Sequence, residues 1–146
     1  VLDNAGTAFY LVEAGVIRTK ARDPLERRLC KLYTGITEII DEFSPDVLAV
    51  EDLYSHYRHP KTAVIMGHAR GVYFLAAGNA SIPVFSYPAT RIKKSLTGAG
   101  RANKEQVSRM IARAVSCDMS NVANDATDAI ATALCHINTV SHGSLL

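Results

Sequence analysis

A short uninterrupted apolar run, Val47-Leu48-Ala49-Val50, lies between Pro45-Asp46 and Glu51. A strand with one face in water alternates apolar and polar residues. A run without alternation fits a strand covered on both faces, the place of central parallel strands in α/β proteins. The segments around it change in kind along the chain. Phe9 to Ile17 is apolar on both faces and reads as a strand. Asp23-Pro24 reads as a helix start, with Asp as N-cap and Pro at the first helical position. Leu25, Leu29, Leu32, Ile36, Ile39, Ile40 and Phe43 then form one apolar stripe, and Ser44-Pro45 ends the helix. Thr62 to Asn79 reads as a helix, with Gly67 and Gly71 spaced to let another helix approach closely. Ile82 to Phe85 reads as a strand, and Ala89 to Leu96 as a short basic helix broken by Thr97-Gly98-Ala99-Gly100. Lys104 to Ala114 and Asn124 to Val140 complete the helices, the last with Ile130, Ala133, Leu134 and Ile137 on its apolar face. This order predicts an α/β fold.

The 146 residues suit a single domain over 1–146, with a frayed tail over 141–146. At 48% hydrophobic and 21% charged, the composition is that of a globular chain rather than a disordered or fibrous one. No apolar run reaches the ~18 residues that span a bilayer, so no membrane partner is expected. The start, Val1-Leu2-Asp3-Asn4, has no basic segment of an export signal and no Met, so the chain was processed or its start lies upstream. Cys30, Cys117 and Cys135 form no Cys-x-x-Cys pair; an odd count without an export signal fits the reducing cytoplasm. All three are expected to be small buried hydrophobes. Net charge is only +2, but Arg91, Lys93, Lys94, Arg101, Lys104, Arg109 and Arg113 crowd one stretch against a single acid, Glu105. Such a stretch either neutralises phosphates or is a solvated helix face.

Three carboxylates stand where chemistry would need them. Glu51 leaves the apolar strand at its carboxyl end, where α/β sheets bind ligands. Buried alone it would be costly, so it either reaches solvent or holds a cation. Asp125 and Asp128 are three residues apart, on one face of a helix and in its first turn, where the macrodipole favours acids. Capping alone could explain one Asp there; with Asn124 available as a cap, Asp128 is one acid more than a cap needs. Ala126, Ala129 and Ala131 keep the surroundings small. Acids from a strand end and a helix start can converge on one or two Mg²⁺ ions, which take oxygen ligands and retain water. Such ions activate a water and stabilise the leaving oxygen in phosphodiester cleavage. The chain has no Gly-x-Ser-x-Gly and no Walker loop, and Gly98-Ala99-Gly100 follows a helix, unlike a dinucleotide fingerprint. His56 and His59 read as loop side chains rather than a metal pair.

Several runs resemble a known family, in its order and over nearly the whole chain. They are Gly15-Val16-Ile17-Arg18-Thr19-Lys20, Ala49-Val50-Glu51-Asp52-Leu53-Tyr54, Gly67-His68-Ala69-Arg70-Gly71-Val72, Gly98-Ala99-Gly100-Arg101-Ala102-Asn103-Lys104-Glu105-Gln106-Val107 and Asp125-Ala126-Thr127-Asp128-Ala129. Together they resemble the RuvC family of Holliday-junction resolvases. The resemblance implies a ribonuclease-H-like fold, a mixed sheet flanked by helices. It implies a homodimer that nicks four-way junction DNA symmetrically with Mg²⁺ in recombination and repair, with RuvA and RuvB as partners. Glu51, Asp125 and Asp128 would be metal-binding catalytic acids. Lys93 and Lys104 would lie near the scissile phosphate. Tyr54 would stack on an unpaired base, worth ~1–3 kcal/mol. The helix carrying Gly67 and Gly71 would lie in the dimer interface.

The family opens on a central strand reading roughly Gly-Ile-Asp-Pro-Gly, whose Asp is its first catalytic acid. Nothing here matches it: Val1-Leu2 aligns with the end of the second strand, and Asp3 is misplaced as a substitute. The expectation is a truncated sequence, with that strand and Asp upstream. Two other readings stay open. One is a junction-binding module that does not cut. The other is a related nuclease acting on RNA, against which the basic Gly-x-Gly run and the position of Tyr54 argue.

Overall fold

The computed structural model describes residues 1–5, 8–53, 60–115, 119 and 122–143. It forms two compact units. One comprises Val1–Val16, Ala49–Asp52 and Phe85–Leu146, the other Ile17–Leu48 and Leu53–Val84. Among the described residues no helix is long and apolar enough to cross a membrane.

The first unit opens with a hairpin. Strand β1 (Leu2–Ala5) runs antiparallel to β2 (Ala8–Leu11), with Leu2 opposite Leu11 and Asp3 opposite Tyr10. Strand β2 stops at Leu11 instead of continuing to Ile17, because a ladder extends only as far as its partner offers donors and acceptors. The N–H groups of Val12 and Glu13 both turn onto the Val1 carbonyl, at 3.1 and 3.4 Å. Strand β3 (Leu48–Glu51) pairs with β4 (Val84–Tyr87). The Leu48 N–H donates to the Pro83 carbonyl at 3.0 Å and the Asp52 N–H to the Tyr87 carbonyl at 2.9 Å. These partners advance together, so the pair is parallel, as the apolar run suggests. Residues 47–50 are half-buried rather than buried, since among the described residues β3 has one paired neighbour. Strand β4 begins two residues later than expected: the Ile82 N–H is taken by the Ala77 carbonyl at 2.9 Å, and Pro83 has no N–H to give.

Helices α3 (Ala89–Thr97), α4 (Lys104–Val115) and α5 (Asn124–Gly143) enclose the main core of this unit. Tyr87, Ile92, Leu96, Val107, Ile111, Ile130 and Leu134 are at its centre. Helix α5 runs beyond Val140 to Gly143; residues 144–146 lie outside the described part. The glycine-containing run between α3 and α4 is scaffold first. Gly98 adopts φ 76, and its N–H caps the Lys94 carbonyl at 2.9 Å. A Cβ on Gly100 would come within 3.3 Å of the Thr90 carbonyl oxygen, so a side chain there would crowd the backbone of α3. Asn103 and Gln106 then close a reciprocal box. The Asn103 N–H donates to Gln106 Oε1 and the Gln106 N–H donates to Asn103 Oδ1, both at 2.9 Å. This box fixes Lys104 as the first residue of α4.

In the second unit α1 (Leu25–Phe43) packs on α2 (Pro60–Asn79). Pro24 has ψ 147, so it precedes the helix as N-cap instead of entering it, and Asp23 stands one residue too early to cap. The expected stripe faces inward, with Ile40 buried and the rest half-buried. Asn79 Nδ2 donates to the Tyr33 hydroxyl at 3.0 Å, tying the end of α2 to α1. A Cβ on Gly35 would press within 2.9 Å of Ile17 Cδ1, so a larger residue there would require the Ile17 side chain to move.

The cysteines divide. Cys135 is fully buried in the core, whereas Cys30 is exposed because it lies off the apolar stripe of α1. Cys117 lies outside the described residues. Behind the end of β4, the buried Tyr87 hydroxyl lies 2.8 Å from Nδ1 of buried His136, with Phe85 against the imidazole at 4.6 Å. Burial lowers the imidazole pKa from its ordinary 6.5. Changing Tyr87→Phe should leave that nitrogen unsatisfied and lower stability by about 1–3 kcal/mol in denaturant unfolding. An unchanged midpoint would mean the bond contributes nothing net.

Candidate active site

Glu51 ends β3, and the hydrogen bond from Asp52 to Tyr87 just beyond it holds that strand end against β4. Asp125 and Asp128 are exposed in the first turns of α5. The Thr127 N–H donates to the Ala123 carbonyl at 2.9 Å, so Ala123 opens the helix and Asn124 is already inside it. Asn124 is therefore not the cap, and both aspartates are free of that task by position. Buried Ala126, Ile130 and Ala131 fasten the opposite face of α5 to the core. On α3, buried Ile92 and Leu96 flank Lys93 and hold its backbone.

Electrostatics brings three of these groups together. Glu51 is an exposed residue as a whole, yet its carboxyl group is partly withdrawn from water. That desolvation, chiefly, raises its pKa from the ordinary 4.5; the Asp128 charge raises it further, Lys93 opposes, and Asp52 adds a smaller push upward. A strand end, α5 and α3 thus focus two acids and one lysine on one place. Asp125 lies one helical turn before Asp128. Lys104 is exposed at the start of α4. Asp3 lies on β1 opposite Tyr10. Tyr54, His56 and His59 fall outside the described residues. The role of Asp52 was missed in the sequence; two consecutive acids at a strand end were the available signal.

Among the described residues, no three His, Cys, Asp or Glu side chains form a group that could hold a metal ion by themselves. A carboxylate whose proton affinity is raised in part by a second acid still suits Mg²⁺, which binds through one or two acids and keeps waters for substrate phosphate to replace. Glu51 and Asp128 fit such an ion on the chemistry of the pair.

The sign of the pH effect follows. Glu51 binds its proton more tightly folded than unfolded, so its contribution to stability is complete below pH 4.5 and is lost as pH rises through the raised value. Without divalent cations, Asp128→Asn should bring the Glu51 pKa down toward 4.5 in a carbon-13 NMR titration of its carboxyl carbon. The same pKa in wild type and variant would contradict this geometry.

The chain matches the family model "Crossover junction endodeoxyribonuclease RuvC" over residues 1–136. It is 41% identical over 135 residues to the protein of that name from Rhodopirellula baltica, covering 92% of this chain and 76% of the relative. Identity to the Photorhabdus laumondii protein is 42% over 140 residues, covering 94% and 79%. Thermus thermophilus RuvC superposes with a TM-score of 0.88 at 28% identity, over 98% of this chain and 86% of that one. The T. thermophilus RuvC solved in complex with Holliday junction substrate gives 0.91 at 28% identity, over 97% and 86%. The ribonuclease-H-like fold expected from the sequence is therefore the fold of this chain, which belongs to the RuvC family of crossover junction endodeoxyribonucleases.

Proposed function

We propose that this chain is a structure-selective endonuclease that resolves four-way DNA junctions by symmetric, Mg²⁺-dependent hydrolysis in cytoplasmic DNA recombination and repair. The observation that carries the reading is the meeting of Glu51, Asp128 and Lys93 at the end of β3. The likeness to a relative solved with Holliday junction substrate supports the choice of DNA. Glu51 and Asp128 would hold the cation, with Asp125 a further acid one helical turn earlier on the same helix. Held there, Mg²⁺ would supply Lewis acidity to a water and to the leaving 3′ oxygen. Lys93 balances charge beside the scissile phosphate, and Lys104 adds a second cation from the start of α4. Tyr54 stacks on a base at the junction centre.

A homodimer suits a substrate with twofold symmetry. Helix α2 supports this, since it exposes Val64, Ile65, Met66, Phe74 and Leu75. A Cβ on Gly71 would meet nothing within 4 Å among the described residues, so the close approach that glycine permits is not used inside the chain. RuvA and RuvB are the expected partners. The domain is taken as 1–146.

One observation favours a second reading, a junction-binding chain impaired in cutting: the absence of a three-ligand metal group among the described residues. A labelled synthetic four-way junction with Mg²⁺ separates the two. Paired symmetric nicks that vanish in Glu51→Gln, with junction binding retained, are the expected result. Junction bound but uncut, and cut once an Asp-bearing strand is added upstream, would establish the second reading. No preference for the junction over linear duplex would contradict both.

A further inference from the structure

The basic stretch is not spent on Lys93 and Lys104. An open groove of about 240 Å³ lies between the end of α3 and α4, lined by Thr97, Gln106, Arg109, Met110 and Arg113 with two alanines. Among the described residues no carboxylate lines it. Arg109 and Arg113 are four residues apart, so their side chains leave the same face of α4, about 6 Å apart along its axis. Both are exposed. Gln106 is held by its box: Oε1 accepts from the Asn103 N–H at 2.9 Å, which leaves its NH₂ as a donor. The polar wall of the groove is thus two guanidinium forks and an amide, over a half-buried Met110. Donors without a matching acid select a ligand rich in anionic oxygens. Enclosed small-molecule sites usually run from about 300 Å³ upward. A smaller, open groove suits a passing chain.

The groove begins at Thr97, on the same helix as Lys93. Thr97 is one helical turn beyond Lys93 on α3, and its hydroxyl donates to the Lys93 carbonyl at 2.8 Å.

We propose that this groove binds the phosphodiester backbone of a junction arm, with Arg109 and Arg113 each neutralising one phosphate. The inference rests on the junction-endonuclease reading and adds a second DNA contact to it. Phosphate contacts of this kind set affinity and register and are read in the salt dependence of binding, with about 0.9 in the log–log slope per phosphate.

The test compares wild type, Arg109→Gln/Arg113→Gln and Arg109→Lys/Arg113→Lys for binding to a labelled four-way junction over a range of NaCl in Ca²⁺, with thermal melting as the check on folding. The glutamine pair should bind on the order of tenfold more weakly, with a slope shallower by about 1.8. The lysine pair, which keeps the charge, should retain most of the wild-type slope. If the glutamine pair melts lower, each single change is read instead, with an expected loss of about 0.9 in slope. Equal slopes in wild type and the glutamine variants would overturn the inference and leave the arginines as a solvated helix face. A wild-type chain that does not bind the junction would instead overturn the reading of function.

Discussion

Two carboxylates held in each other's field raise the free energy of a folded chain unless a proton or cation sits with them. Glu51 and Asp128 are in that position, and Glu51 is also partly desolvated. The arrangement persists because both residues stand at the ends of elements anchored elsewhere. The β3 end is tied to β4 by the bond from Asp52 to Tyr87, and Tyr87 is itself fixed from behind by His136. Helix α5 is fixed by Ala126, Ile130, Ala131 and Leu134 in the same core. The core therefore sets a charge arrangement that the site groups would not adopt alone, as an ion-binding site requires.

Much of this was legible in the residues. An unbroken apolar run followed by an acid marks a strand end, and period-three-and-four stripes mark α1 and α5; both signals are local. The differences arose where a distant partner decides. How far β2 extends is set by β1, and the start of β4 by an N–H already taken at the end of α2. Tyr87 and His136 are 49 residues apart, so no spacing rule joins them. Pro24 carried a helix-start signal that was right to within one residue, but its extended ψ put it outside the helix. Resemblance rather than pattern singled out Lys93, whose field does act on Glu51.

The basic run between α3 and α4 divides its work in a way that charge alone did not reveal. Gly98, Gly100, Asn103 and Gln106 are there for backbone geometry. They place Lys104 at the start of α4 and set Arg109 and Arg113 on its outer face. A net charge of +2 conceals this, because acids elsewhere cancel it in the sum but not in space.

If Glu51 and Asp128 form a cation site, thermal melting against Mg²⁺ at constant ionic strength will register it. A ligand that binds only the folded chain raises its stability by RT ln(1 + [L]/Kd). Wild type should melt progressively higher as Mg²⁺ replaces Na⁺, while Glu51→Gln and Asp128→Asn should not respond. An equal rise in all three chains would place the ion elsewhere and contradict the account.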